Sequence, residues 1–319
     1  MNIINTVQSA VKKIDTLQQR HTVLAIPFAV IKKYGEDRGN ARVALLTYYG
    51  FLSLFPLLLL LVTGLELFLA SYPHLREEVL HTTLSNFPAL SQDLNENISA
   101  LSGAWYRIIL GTILTLLASF GIANTLRETI NDLWQVPRVS RKGFPWNYLA
   151  NLVLIALGGF VLIATTLVTG LVAKNGTPWY FVLSALINFG LFLLIYRVAT
   201  SRQIKTKNLL IQSGITAIAW QTLQMAGGYL VERQLSHLNL LYGSFAVVLG
   251  LVFWLYFVAR ISLYAIEIDV VLTGRLWPRS LTGETTEAGR KVYTGYAKAQ
   301  KRIPEENITV RFRKPKSKA

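Results

Sequence analysis

Long apolar runs alternate with short basic connections along most of the chain. No Asp, Glu, Lys or Arg occurs within residues 43–65, 108–126, 143–173, 179–196, 208–231 or 234–259. About 20 apolar residues cross a ~30 Å hydrocarbon core as a helix, so the pattern predicts six transmembrane spans. Residues 234–241 are polar enough for a loop, and the sixth span is set to begin near Tyr242. The predicted fold class is all-α, a polytopic membrane protein with further amphipathic helices at its N-terminus and in one external loop.

The organisation follows from the same pattern. Residues 1–40 form a basic segment in which Val7, Val11, Ile14 and Leu17 recur at helical spacing, either on the inner membrane surface or against the protein's own loops. Residues 22–31 are weakly apolar, contain Pro27 and lack a small-residue cleavage site. They read as an interfacial or packed segment rather than a signal peptide. Residues 41–272 form the membrane domain. Within it, residues 71–103 are the external region, where Leu75, Val79, Leu80, Leu84 and Phe87 predict short amphipathic helices, a cap or a gate over the bundle. Residues 273–319 form a basic tail.

Composition agrees with this division. Of 319 residues, 52% are hydrophobic and 15% charged, against about 25% charged in a soluble domain. Mean hydropathy is +0.39. The net charge of +15 does not point to nucleic acid, because of where the charges lie. Seven Lys or Arg fall in residues 1–42, four in 127–142, four in 197–207 and twelve from Arg275 onward. The opposite connections hold only Arg76, Arg107, Lys174 and Arg233. Lys and Arg collect in cytoplasmic loops, which predicts cytoplasmic termini on either side of six spans.

Catalytic patterns are missing. Cysteine is absent, and His21, His74, His81 and His237 stand in no metal-binding pair. No phosphate-binding glycine loop or nucleophile elbow is present. No enzyme activity and no cofactor are expected. Three polar clusters remain. In the first span, Tyr49 and Ser53 share a helix face, with Tyr48 and Tyr49 also suited to an interfacial belt. Pro56 predicts a kink in that span and offers a hinge. After the second span, Asn124, Arg127, Glu128 and Asn131 form one stripe, facing a hydrated cavity or emerging into water.

The third cluster is GLVFWLYFVARISLYAIEIDVV, residues 250–271, where Arg260 interrupts an apolar helix that ends on Glu267 and Asp269. Arg260 lies some eighteen residues past Tyr242, about 27 Å along a helix, near the inner interface. Three accounts of it stand open: a snorkelling anchor, a grip on phosphate or carboxylate, or an ion pair with an acid such as Glu128. Glu267, seven residues on, shares its face and extends a polar lining.

Three segments, ALLTYYGFLSLFPLLLLL, NTLRETINDLWQVPR and YGSFAVVLGLVFWLYFVARISLYAIEIDVV, together resemble the YihY/BrkB family of bacterial inner-membrane proteins. The FVARISLY form is similar to the YhjD-like branch. The resemblance implies six spans, cytoplasmic termini and a small residue with an acid near the end of the last span, here Ala265 and Glu267. It also implies a role in transport or envelope-lipid handling. The ribonuclease label once attached to the family finds no metal-nuclease constellation in this sequence.

The sequence thus leads to an expected bacterial inner-membrane protein that binds and translocates an amphipathic or anionic substrate, such as an envelope lipid. Arg260, Asn124, Arg127, Asn131, Glu267, Tyr49 and Ser53 are its candidate binding residues. The alternative is a non-transporting scaffold for envelope partners. Membrane lipids are the expected partners, nucleic acid is not, and close-packing glycines such as Gly158, Gly159 and Gly214 leave a homo-oligomer open.

Overall fold

The computed structural model describes residues 13, 15–68, 105–175, 178–201, 205–230, 244–281 and 286–312. The expectations for residues 71–103, for Val7, Val11 and Ile14, and for the last residues of the chain lie outside them. Helices dominate, and no strand occurs among the described residues. We number them α1 (Thr22–Glu36), α2 (Gly39–Phe68), α3 (Trp105–Leu133), α4 (Trp146–Asn175), α5 (Pro178–Ala199), α6 (Thr206–Leu230), α7 (Ser244–Gly274) and α8 (Glu287–Ala299).

From α2 to α7 each helix has 22 to 31 residues, a rise of 33 Å or more at about 1.5 Å per residue. Among the described residues, Val182–Ala199 in α5 and Val248–Gly274 in α7 are long and apolar enough to cross a membrane, and Trp146–Val161 is a shorter apolar stretch. Leu45, Ile113, Leu117, Phe160, Leu186 and Phe253 point outward and are exposed. In a folded chain an apolar exterior of this kind needs a non-aqueous neighbour.

Neighbours in sequence are neighbours in space. Helix α2 packs on α3, α3 on α4, α4 on α5, α5 on α6 and α6 on α7, and α7 returns to α2 and closes the ring. Only two residues separate α4 from α5, so these form an antiparallel pair. The backbone of α2 stays helical through Pro56.

Several helix ends meet at one end of the bundle, and their turns are tight. Arg38, Gln135 and Arg275 have positive φ, at 55°, 52° and 49°. At α3 the N–H of Val136 reaches back to Asn131 O and that of Gln135 to Asp132 O; at α7 Leu276 and Arg275 repeat the pattern onto Val271 O and Leu272 O. These are the paired bonds of a left-handed helix cap. At the α1–α2 corner, Gly39 is required because a Cβ there would come within 2.4 Å of the Tyr34 ring.

Helix α1 is the packed segment that residues 22–31 suggested. Its Ala25, Ala29, Val30 and Tyr34 are buried, chiefly against α7. The region after α7 is more structured than the word tail conveys. Leu276, Arg279, Ser280 and Val292 are buried, and Thr286 caps α8 by accepting from Gly289 N–H at 3.1 Å. Asp15 ties this segment down by accepting from Ser280 Oγ at 2.8 Å and Leu281 N–H at 2.9 Å.

Candidate functional site

The C-terminal half of α7 carries the densest polar chemistry among the described residues. Arg260 is half-buried. Its guanidinium donates to Tyr256 Oη at 3.0 Å and lies 5.7 Å from the Tyr256 ring centroid and 6.0 Å from that of Tyr264. Tyr34 of α1 stacks on Tyr264 at 4.3 Å. Both spacings on α7 are four residues, so Tyr256, Arg260 and Tyr264 lie on one face. No carboxylate contacts Arg260 among the described residues. Glu128, the acid considered for it, instead accepts from Arg141 at 2.6 Å.

Two turns further on, Glu267 is held by a cation from another helix. Lys33 of α1 donates to Glu267 Oε2 at 3.0 Å, to Leu133 O at 3.0 Å, and to Asp37. The Lys33 and Glu267 side chains have no exposed surface, and that of Asp37 has 4%. Burial works against the Lys33 ammonium, but Glu267 and Asp37 outweigh it and hold its pKa above the ordinary lysine value. This cluster joins α1, α3 and α7. Nothing in the sequence pairs residue 33 with residue 267; the only sign was two acids in an apolar helix, which demand partners from elsewhere.

A second layer of ion pairs surrounds the cluster. Arg42 donates to Asp132 at 2.8 Å, and Arg141 bridges Asp132 and Glu128. Burial pushes the Asp132 carboxyl up, but Arg141 and Arg42 more than offset this and hold it below the usual carboxylate range. Arg279 grips both oxygens of Glu36 at 2.7 and 2.9 Å and lies over Tyr293. For Asp15, burial is again outweighed, here by the Leu281 N–H and the Gln19, Gln18 and Ser280 side chains, which pull the carboxyl well down.

The stripe after the second span divides. Asn124 is exposed. Arg127 is buried, donating to Asn147 O at 2.8 Å and Asn151 Oδ1 at 3.0 Å. Asn131 is buried too; its amide donates to Arg127 O at 2.7 Å and Ala199 O at 3.2 Å and accepts from Ser201 N–H at 2.9 Å. Arg127 and Asn131 therefore tie α3 to the start of α4 and the end of α5. On α2, Tyr49 packs on Gly121, where a Cβ would approach within 2.6 Å, and Ser53 donates to Gly50 O of its own helix at 2.9 Å. The structure does not gather these residues around Arg260.

Two spaces accompany this arrangement. An open cavity of about 540 Å³ lies beside the ion-pair end, lined by Trp134, Gln135, Pro137, Ser140, Ser201 and Lys298 among others. Inside the bundle, Thr216, Trp220, Val258 and Ser262 help line a crevice of about 10 Å³, room for about one water.

Long helices with an apolar exterior, sealed at one end by buried ion pairs, define an all-helical membrane protein. A family model described as Virulence factor BrkB matches residues 30–289, and the chain belongs to that family. It is 24% identical over 289 residues to Inner membrane protein YhjD of Escherichia coli (strain K12), covering 82% of this chain and 83% of the relative. A UPF0761 membrane protein of Psychrobacter sp. (strain PRwf-1) is 25% identical over 262 residues, 76% of this chain but 47% of that relative. Another from Alteromonas mediterranea is 25% identical over 251 residues, 74% of this chain and 84% of the relative. No solved structure matches.

Proposed function

We propose that this protein spans the bacterial inner membrane six times with both termini in the cytoplasm, and that it binds and moves an anionic amphipathic substrate, an envelope lipid. The topology rests on the six long helices and on the bias of Lys and Arg toward alternate connections. On this reading the ion-pair end of the bundle faces the cytoplasm, and Arg260 sits near the inner headgroup level.

One observation carries the function. Arg42, Arg141, Arg279 and Lys33 each hold a carboxylate. Arg260, half-buried on the last helix and walled by Tyr256 and Tyr264, holds none among the described residues. A guanidinium offers a planar fork to phosphate or carboxylate, and aromatic walls hold it in place. Its free N–H groups suit a lipid headgroup, with the exposed apolar flank of the bundle beside the acyl chains. Arg127, Asn131 and Glu267 support the scaffold around that grip.

Native mass spectrometry of the protein in mild detergent tests the reading. Wild type should retain a defined anionic lipid that Arg260→Ala loses. Equal retention of bulk lipid by both would reduce Arg260 to a snorkelling anchor. The scaffold reading has its own support in the 540 Å³ cavity between the α3–α4 connection and α8, an opening for a cytoplasmic partner; it predicts that removing α8 harms function more than Arg260→Ala does.

A further inference from the structure

The cluster at the end of α7 holds one charge too many. Lys33 supplies one positive charge to two carboxylates, Asp37 and Glu267, all three enclosed by protein. The two acids also face each other. Glu267 Oε1 has no hydrogen-bond partner among the described residues, nor has the buried Tyr296 hydroxyl of α8, which faces Asp37.

The remaining charges around the cluster are already committed. The Arg42 Nε donates to the backbone carbonyl of Asp37, while its Nη1 donates to the Asp132 carboxylate. Glu36 is taken by Arg279 and Tyr293. Arg260 reaches no closer than the tyrosine layer of Tyr34, Tyr256 and Tyr264. Leu133 contributes only its carbonyl. Among the described residues no further cation reaches the second carboxylate, and an uncompensated buried charge is costly.

We infer that Lys33, Asp37 and Glu267 form a binding site for one exchangeable proton, shared between the two carboxyl groups and held in place by the ammonium. The proton comes from bulk water and returns to it, with no other bond made or broken. With the proton bound, the cluster is one ammonium, one carboxylate and one carboxylic acid. The unpartnered Glu267 oxygen and the Tyr296 hydroxyl are then where the hydrogen bonds rearrange. Tyr34, next to Lys33 in sequence and stacked on Tyr264, joins this site to the Arg260 layer. That the proton drives substrate movement rests on the Arg260 reading; the existence of the proton site does not.

Infrared spectroscopy of the full-length protein in lipid nanodiscs tests it. Wild type should show the carbonyl stretch of a protonated carboxylic acid that shifts in D₂O and falls to background reversibly as pH rises within the folded range. Glu267→Gln and Asp37→Asn should each remove that band, and Asp269→Asn, at a separate buried acid, should leave it. Should the variants fail to fold, carboxyl-¹³C glutamate or aspartate in wild type shifts the band of the acid that holds the proton. A band absent at every pH, one that ignores both labels and both variants, or one that never titrates would overturn the site. Lipid retention in Arg260→Ala is read separately, so failure of one result leaves the other standing.

Discussion

Replacing Lys33 by methionine is the sharpest test of how the bundle is closed. The two side chains have similar reach, so the change removes charge and leaves most of the packing. Lys33 contacts Glu267 and the Leu133 carbonyl at 3.0 Å each, and Asp37 as well, with no exposed surface. Removing one partner of a buried ion pair costs about 3–5 kcal/mol, because the other charge is left uncompensated. At tenfold per ~1.4 kcal/mol, that is roughly a 150- to 4,000-fold fall in the folded-to-unfolded ratio. Denaturant unfolding in detergent, followed by tryptophan fluorescence, measures it. Lys33→Met with Glu267→Gln should recover part of the loss, since one orphaned charge is gone. The penalty should also shrink as pH falls, because protonation removes the buried charge. In wild type the sign is the reverse at the other extreme. The raised Lys33 pKa means its contribution is complete below the ordinary lysine value and is lost only as pH rises through the folded one. A cost under about 1 kcal/mol, the range of an exposed pair, would refute the argument.

Asn131→Ala should cost about 1–3 kcal/mol in the same assay, since the buried Arg127 and Ala199 carbonyls and the Ser201 N–H lose their partner together. In Gly39→Ala, better helix propensity contributes about 1 kcal/mol, but the new methyl meets the Tyr34 ring at 2.4 Å, so thermal melting should show a net loss of up to about 3 kcal/mol. Acid should release the segment after α7: the depressed carboxyl of Asp15 contributes stability above the unfolded value near 4, lost as pH falls through its lower folded value. Hydrogen exchange at Leu281 should accelerate there, and Asp15→Asn should bring that acceleration to neutral pH. Arg260→Lys should retain less anionic lipid than wild type in native mass spectrometry, because a point charge cannot replace the guanidinium fork.

The helices were legible in the sequence because charge-free length is a local property. Runs such as residues 43–65 and 179–196 sit inside α2 and α5. Polar contacts were less legible because they depend on rotation and on partners far along the chain. The spacing of Asn124, Arg127 and Asn131 correctly describes one helix face, yet Asn124 is exposed while Arg127 and Asn131 are buried against backbone carbonyls of other segments. Arg260 and Glu267 likewise share a face, but α1 inserts Lys33 beside the acid, 234 positions earlier. A helical wheel cannot supply that partner, because it carries no information on which helix faces which.

The placement of charges along α7, Arg260 first and then Glu267 and Asp269, has a physical logic. At Glu267 and Asp269, where α1 and α3 pack on α7, the side chains are buried, and a charge there needs a partner or a proton. Arg260 stands two turns short of that cover, where tyrosines replace acids as neighbours. An arginine kept only for folding gains most from a carboxylate, and acids at Glu128, Asp132 and Glu36 were close enough to be used by Arg141, Arg42 and Arg279. A cage of rings instead fixes the guanidinium without neutralising it. On the proposed function, such an arrangement keeps the charge available to an anion that comes and goes, one stacked tyrosine pair away from the Lys33, Asp37 and Glu267 cluster.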